Sequence, residues 1–126
     1  MACRVLDMDA ALVSELDGGR EHVRWAAGDG HYDGLSRSLS GTICRRLLEG
    51  RIATLVADAA AEPALRDVPL VRDGSIGAYI GIPFTTADAR AYVLCCLAQE
   101  KRPDLGEADV RFLRGLAESI RAHLSA

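Results

Sequence analysis

The chain has no stretch approaching the roughly 18 to 20 consecutive apolar residues that a membrane-spanning helix requires, although 49% of its 126 residues are hydrophobic. Nor does it have a positive excess: 15 basic side chains stand against 18 acidic ones, a net charge of −3. That balance argues against a strongly basic nucleic-acid binder, which needs clustered cations to neutralise phosphates. Met1–Asp17 contains no basic leader followed by an apolar run, so no secretory signal is expected. Internal repeats, low-complexity tracts and long linkers are also missing, which predicts a single domain over residues 1–126. The four cysteines, Cys3, Cys44, Cys95 and Cys96, form no CxxC pair and no Cys/His pattern of zinc-site spacing. Adjacent Cys95 and Cys96 would point to opposite faces of a strand, which disfavours a mutual disulfide or joint metal ligation. They read as small buried hydrophobes, with thiol redox chemistry as the minor alternative. Together these absences predict a cytoplasmic protein with no nucleic-acid partner, no membrane and no metal.

What is present has a readable order. Asp9–Leu16 reads as a strand, with Ala11, Val13 and Glu15 on one face, and Asp17-Gly-Gly is a hairpin signal. Arg20–Ala26 alternates as a second strand, placing Glu21, Val23 and Trp25 on one face and His22 and Arg24 on the other. On that count Arg24 and Trp25 point opposite ways and Trp25 belongs to the core. Residues 28–40 have the chemistry of a long loop. Thr42 caps a predicted short helix through Glu49, with Ile43, Leu47 and Leu48 as its apolar residues and Gly50 as its stop. Ile52–Val56 reads as a short strand, Asp58 as a cap, and Ala59–Leu65 as weak helix broken at Pro63; Pro69 and Asp73-Gly74 bracket a further connection. Ile76–Phe84 and Ala91–Ala98 are clear strands joined by a polar hairpin. In the first of them Ile76, Ala78, Ile80, Ile82 and Phe84 share a face, opposite Gly77, Tyr79, Gly81 and Pro83. Acidic Glu107 and Asp109 then open an amphipathic helix whose apolar stripe is Val110, Leu113, Leu116, Ala117, Ile120 and Leu124. Val5 and Leu6 hint at a short N-terminal helix. Antiparallel strands flanked by helices make an α+β sandwich.

The ordered combination of Thr42–Gly50, Ala57-Asp58-Ala59, Ile76–Phe84, Ala91–Leu97 and Leu105–Leu113 resembles a GAF domain of bacterial signalling proteins, over residues 4–125. The resemblance is to the branch found beside diguanylate cyclase, phosphodiesterase and kinase modules. It implies an antiparallel sheet of five or six strands, terminal helices on one face and a ligand pocket on the other. The layout departs from that family at its start, where only Met1–Leu6 stand for the usual full helix. With that helix short or truncated, the stripe from Val110 to Leu124 has little local cover, so a homodimer through the terminal helices is expected.

The resemblance places the pocket among the 28–40 loop, the Thr42 helix, the Asp58 region and the Tyr79 strand. The candidate ligand-binding residues are Asp29, His31, Tyr32, Ser38, Thr42, Cys44, Arg45, Asp58 and Tyr79. Ser36 also supplies a polar group there, and Gly28, Gly30 and Gly34 let backbone amides approach a ligand. The bland alternative is a solvated loop, and Gly-Asp-Gly at 28–30 lacks the strand-to-helix setting of a phosphate cradle. A lone His31 is weak ground for haem. Cys44 is followed by Arg45 rather than the His that bilin-attaching members of the family commonly carry. Val68–Ile76 contains no cysteine, so the nucleophile of the free methionine sulfoxide reductases of this family is missing. Arg45 and Arg46 suit an anionic ligand, against the plainer reading of a solvated helix face. The expectation is a non-enzymatic sensory domain for a small molecule, with cofactor unknown and any output domain outside these residues. The alternative is a dimerisation scaffold with a degenerate pocket. A polar cavity beside Tyr79 would favour the first, and closure by Leu35, Leu39 and Leu70 the second.

Overall fold

The structure is a computed structural model that describes residues 8–28, 36–38 and 42–124. Strands β1 (Ala10–Asp17) and β2 (Arg20–Gly28) are joined through Gly18 and Gly19, whose φ values of 57° and 81° match a two-residue hairpin turn. Strand β3 (Ser36–Ser38) pairs with Arg20–His22 of β2, so the segment expected to be loop contributes an edge strand. This pairing is non-local, and turn-like composition alone does not reveal it. Helix α1 (Ile43–Leu48) begins at Thr42, whose hydroxyl accepts from the Arg45 amide at 3.3 Å. Strand β4 (Leu55–Val56) is shorter than predicted and is followed by single 3-10 turns at Ala59–Ala61 and Pro63–Leu65. Where only a connection was expected, α2 (Pro69–Arg72) forms one helical turn. Strands β5 (Ala78–Thr85) and β6 (Ala91–Ala98) form the second hairpin, and α3 (Glu107–Leu124) ends the described chain. All pairings are antiparallel, in the order β3-β2-β1-β6-β5-β4.

The sheet separates two apolar layers. On one side Val13, Ala78, Ile80, Ile82, Leu94 and Cys96 pack against Leu113 and Ala117 of α3. On the other, Leu12, Val23, Tyr79, Val93, Cys95 and Leu97 meet α1, the 3-10 turns and α2. Cys95 and Cys96 thus face opposite layers, as the strand period requires. The stripe on α3 has more cover than expected: Leu113 and Ala117 are buried and Val110, Leu116, Ile120 and Leu124 are half-buried against the sheet. The N-terminal stub Met1–Leu6 lies outside the described residues, the first of which is the buried Met8. Among the described residues no helix is long and apolar enough to cross a membrane.

Three side-chain expectations are corrected. Trp25 is 51% exposed, because the β1–β2 register slips between Val13/Trp25 and Ser14/Val23. This bulge puts one extra residue, Arg24, into β2 and turns Trp25 towards the α3 side, next to Val13 and Ile120. Arg24 reaches Glu15, its Nε donating to Oε1 at 2.8 Å, so Arg24 and Trp25 do not take opposite faces as simple alternation predicts. On α1 it is Cys44 and Arg46 that are buried with Ile43, while Leu48 is 45% exposed. Ile76 precedes β5 and so escapes its alternation, packing in the layer opposite α3.

Truncation tests this partition. Leu113→Ala should cost about 2–5 kcal/mol by opening a cavity under α3. Leu48→Ala should stay within about 0.5 kcal/mol. Urea denaturation of both variants measures the contrast, and equal losses would contradict the assigned packing.

Candidate functional site

A cavity of about 230 Å³ lies in the layer opposite α3. Its floor comes from the sheet: Leu12 of β1, Glu21 of β2, Tyr79 of β5, and Cys95 and Leu97 of β6. Its walls come from the short elements, with Thr42, Ile43 and Cys44 at the start of α1, Val68, Pro69 and Leu70 at α2, and Ile76. Pro69 is exposed and Leu70 half-buried, so the cavity meets the surface at α2.

The polar groups of the floor form one cluster. The Cys44 thiol donates to Glu21 Oε2 at 3.6 Å, and its sulfur lies 3.6 Å from Tyr79 Oη. A thiol has one proton, so with that proton given to Glu21 the sulfur accepts from the Tyr79 hydroxyl. Glu21 is fully buried, and the reason lies in the strand period, which places it on the same inward face as Val23. Gly81 makes room for the phenol, since a Cβ there would collide with the Tyr79 ring two residues away on the same face. Burial pushes the Tyr79 hydroxyl well above its ordinary range, reinforced by Cys44, Cys95 and Glu21. The hydrogen bond with Cys44, then burial, does the same for the Cys95 thiol. Cys95 is therefore held protonated, the reverse of what a thiolate nucleophile needs. Among the described residues no group of three His, Cys, Asp or Glu side chains is placed to hold a metal ion.

Of the residues expected to bind a ligand, Thr42, Cys44 and Tyr79 meet at this cavity. Arg45 does not: its side chain is exposed and pairs with Glu49 at 3.0 Å. Asp58 is half-buried away from the lining, at the start of the Ala59–Ala61 turn, where its side chain makes no capping bond. Ser38 falls on β3, whereas Asp29, His31 and Tyr32, like Leu35 and Leu39, lie outside the described residues. Arg46 is buried rather than solvated, with Nη1 donating to the Thr42 carbonyl at 2.9 Å and Nη2 to Asp67 at 3.4 Å. The reading from sequence missed Glu21 and Cys95. Glu21 had left a signal, a carboxylate alternating in phase with Val23.

The raised Tyr79 and Cys95 make stability fall in alkali. Unfolded, a thiol titrates near ~8.5 and a phenol near ~10, while the folded form keeps both protons to higher pH. Their contribution is complete below about pH 8.5 and is lost as pH rises towards the folded values. The urea midpoint should drop between about pH 8 and 11, and Tyr79→Phe should flatten the drop. A slope that Tyr79→Phe leaves unchanged would refute this assignment.

Comparison with known proteins places the fold and the sequence together. The phycocyanobilin-bound GAF domain of a cyanobacterial phytochrome superposes with a TM-score of 0.76 at 11% identity, covering 98% of this chain and 78% of that one. The GAF domain of an Acinetobacter phosphoenolpyruvate-protein phosphotransferase gives 0.73 at 19% identity, covering 97% and 76%. In sequence, the chain is 32% identical over 116 residues to a cyclic di-GMP phosphodiesterase of Pseudomonas aeruginosa, covering 90% of this chain. It spans only 19% of that relative's length. The family profile described as GAF domain matches residues 2–125, and the chain belongs to the GAF domain family.

Proposed function

We propose that this chain is a non-enzymatic regulatory domain that binds a small molecule in the Tyr79 cavity and transmits occupancy to α3. The observation that carries the proposal is the shared use of β5 and β6. Tyr79 and Cys95 line the cavity, while their strand neighbours Ile80 and Cys96 belong to the layer that seats Leu113. A ligand that displaces Tyr79 acts on the backbone of the strand that bears α3. At the far end of β5 the Arg121 Nε donates to the Thr85 carbonyl at 2.9 Å, a second tie between the two. Occupancy shifts α3 only as far as the ligand binds one arrangement better than the other.

The match to one-fifth of a cyclic di-GMP phosphodiesterase supports a place beside an output domain, with the chemistry done elsewhere in such a chain. A tetrapyrrole, with its four rings and two propionates, is larger than about 230 Å³ admits, which argues against haem or bilin here. The cavity favours the sensor over the degenerate scaffold. The expected homodimer through α3 stays part of the proposal. Its half-buried Ile120 and Leu124 form, with exposed Trp25, an apolar groove of about 350 Å³.

The test is native mass spectrometry of the protein as purified, with the same sample followed by hydrogen exchange. The expected result is bound mass that leaves on denaturation, with altered protection across Glu107–Leu124 when it leaves. Leu70→Trp at the cavity mouth should abolish the bound mass. Bound mass that survives Leu70→Trp, or whose loss leaves α3 unchanged, would refute the proposal.

A further inference from the structure

Two of the described thiols converge on the cavity floor. Cys44, in the first turn of α1, and Cys95, on β6, are both buried and both line it. Strand register places them over one spot. Cys95 stands directly opposite Gly81 across the β5–β6 ladder, and such cross-strand partners hold their Cβ positions about 5 Å apart. The Tyr79 hydroxyl lies where a Gly81 side chain would begin, and the Cys44 sulfur is 3.6 Å from that hydroxyl. Glycine at position 81 thus leaves the space beside Cys95 to the phenol oxygen and the Cys44 thiol, and the two thiols come within hydrogen-bond reach of each other. Cys96, one residue on, faces the opposite layer under α3.

A thiol pair of this kind differs chemically from two isolated buried cysteines, because one sulfur can attack the other once that other is oxidised. The Cys44 proton already points at Glu21 Oε2, 3.6 Å away, and the Tyr79 hydroxyl can donate to the sulfur that remains. Cys95 is kept protonated by its bond to Cys44 and by burial, so it suits the second step rather than the first: its proton can leave with the hydroxide it displaces. Access comes from the α2 side, where Pro69 is exposed and Leu70 half-buried. A cavity of about 230 Å³ holds roughly eight water volumes, ample for a hydroperoxide little larger than water.

We propose that Cys44 and Cys95 form a hydroperoxide-oxidised dithiol whose product is a disulfide joining α1 to β6 across the cavity floor. The Cys44 proton passes to Glu21, and the sulfur attacks one oxygen of hydrogen peroxide. The O–O bond breaks, the leaving hydroxide recovers that proton as water, and Cys44 becomes a sulfenic acid. The Cys95 sulfur then attacks the Cys44 sulfur. The S–O bond breaks, and the departing hydroxide takes the Cys95 proton to form a second water. Two thiols are thereby oxidised to one disulfide while one peroxide is reduced to two waters. The new bond replaces the thiol partner of the Tyr79 hydroxyl and ties a six-residue helix to the middle of the sheet. This oxidation requires only the two thiols and the opening at α2, independent of any other small molecule in the cavity.

The test is addition of hydrogen peroxide to the native protein, followed by intact mass and a non-reducing peptide map. The mass should fall by two hydrogen atoms and recover on reduction with dithiothreitol. Cys44 should be linked, within the same chain, to the segment holding Cys95 and Cys96. Cys96→Ser should leave that link and its rate of formation unchanged, whereas Cys44→Ser and Cys95→Ser should each abolish it. Cys95→Ser should instead halt at a sulfenic acid on Cys44, which a cyclic 1,3-dione traps. A link through Cys96 or Cys3 overturns the proposal, as does sulfinic acid on Cys44 without a link, or no reaction at all. If Cys95→Ser does not fold, the map of Cys96→Ser decides alone, because Cys95 is then the one thiol left in that segment.

Discussion

Three adjacent strands, β1, β6 and β5, carry apolar side chains on both faces, and every other element is placed by the need to cover them. Antiparallel sheets commonly leave one face to water. Here Leu12 and Val13, Tyr79 and Ile80, Cys95 and Cys96 alternate between two buried layers, so neither face can be solvated. One eighteen-residue helix, α3, covers the first face with a continuous stripe. The second face is covered by pieces: a six-residue helix, two 3-10 turns and a four-residue helix. Short elements with different axes cannot interdigitate as one long helix does, and the space they leave over Tyr79 is the cavity.

The cavity also has an unusual floor for an apolar layer. Burying a carboxylate, a phenol and two thiols together is costly unless each is satisfied, and the Glu21–Cys44–Tyr79 contacts supply part of that satisfaction. The arrangement depends on Gly81, because any side chain there would push the Tyr79 ring out of its place along β5. The same strands connect this floor to α3 through the pleat: a shift of Tyr79 on one face is a shift of Ala78 and Ile80 on the other. Close packing makes such a displacement difficult to absorb locally, which is the physical basis for reading occupancy at a distant helix.

Local periodicity and turn chemistry determined much of this protein from the sequence alone. The Gly18-Gly19 hairpin, the Thr42 cap, the strands at β5 and β6, the opposite facing of Cys95 and Cys96 and the α3 stripe all follow from neighbours within a few residues. So do Thr42, Cys44 and Tyr79 as cavity residues, through a family pattern carried by those same elements. What only the tertiary structure decided depends on register between distant segments. A single extra residue at Arg24 reverses Trp25, and pairing across residues 20–22 and 36–38 makes a strand from turn-like sequence. The partnership of Glu21 with Cys44 spans 23 residues, and that of Cys44 with Tyr79 spans 35. Alternation tells which face a side chain takes; which other side chains share that face is set when the sheet closes and the short helices settle over it.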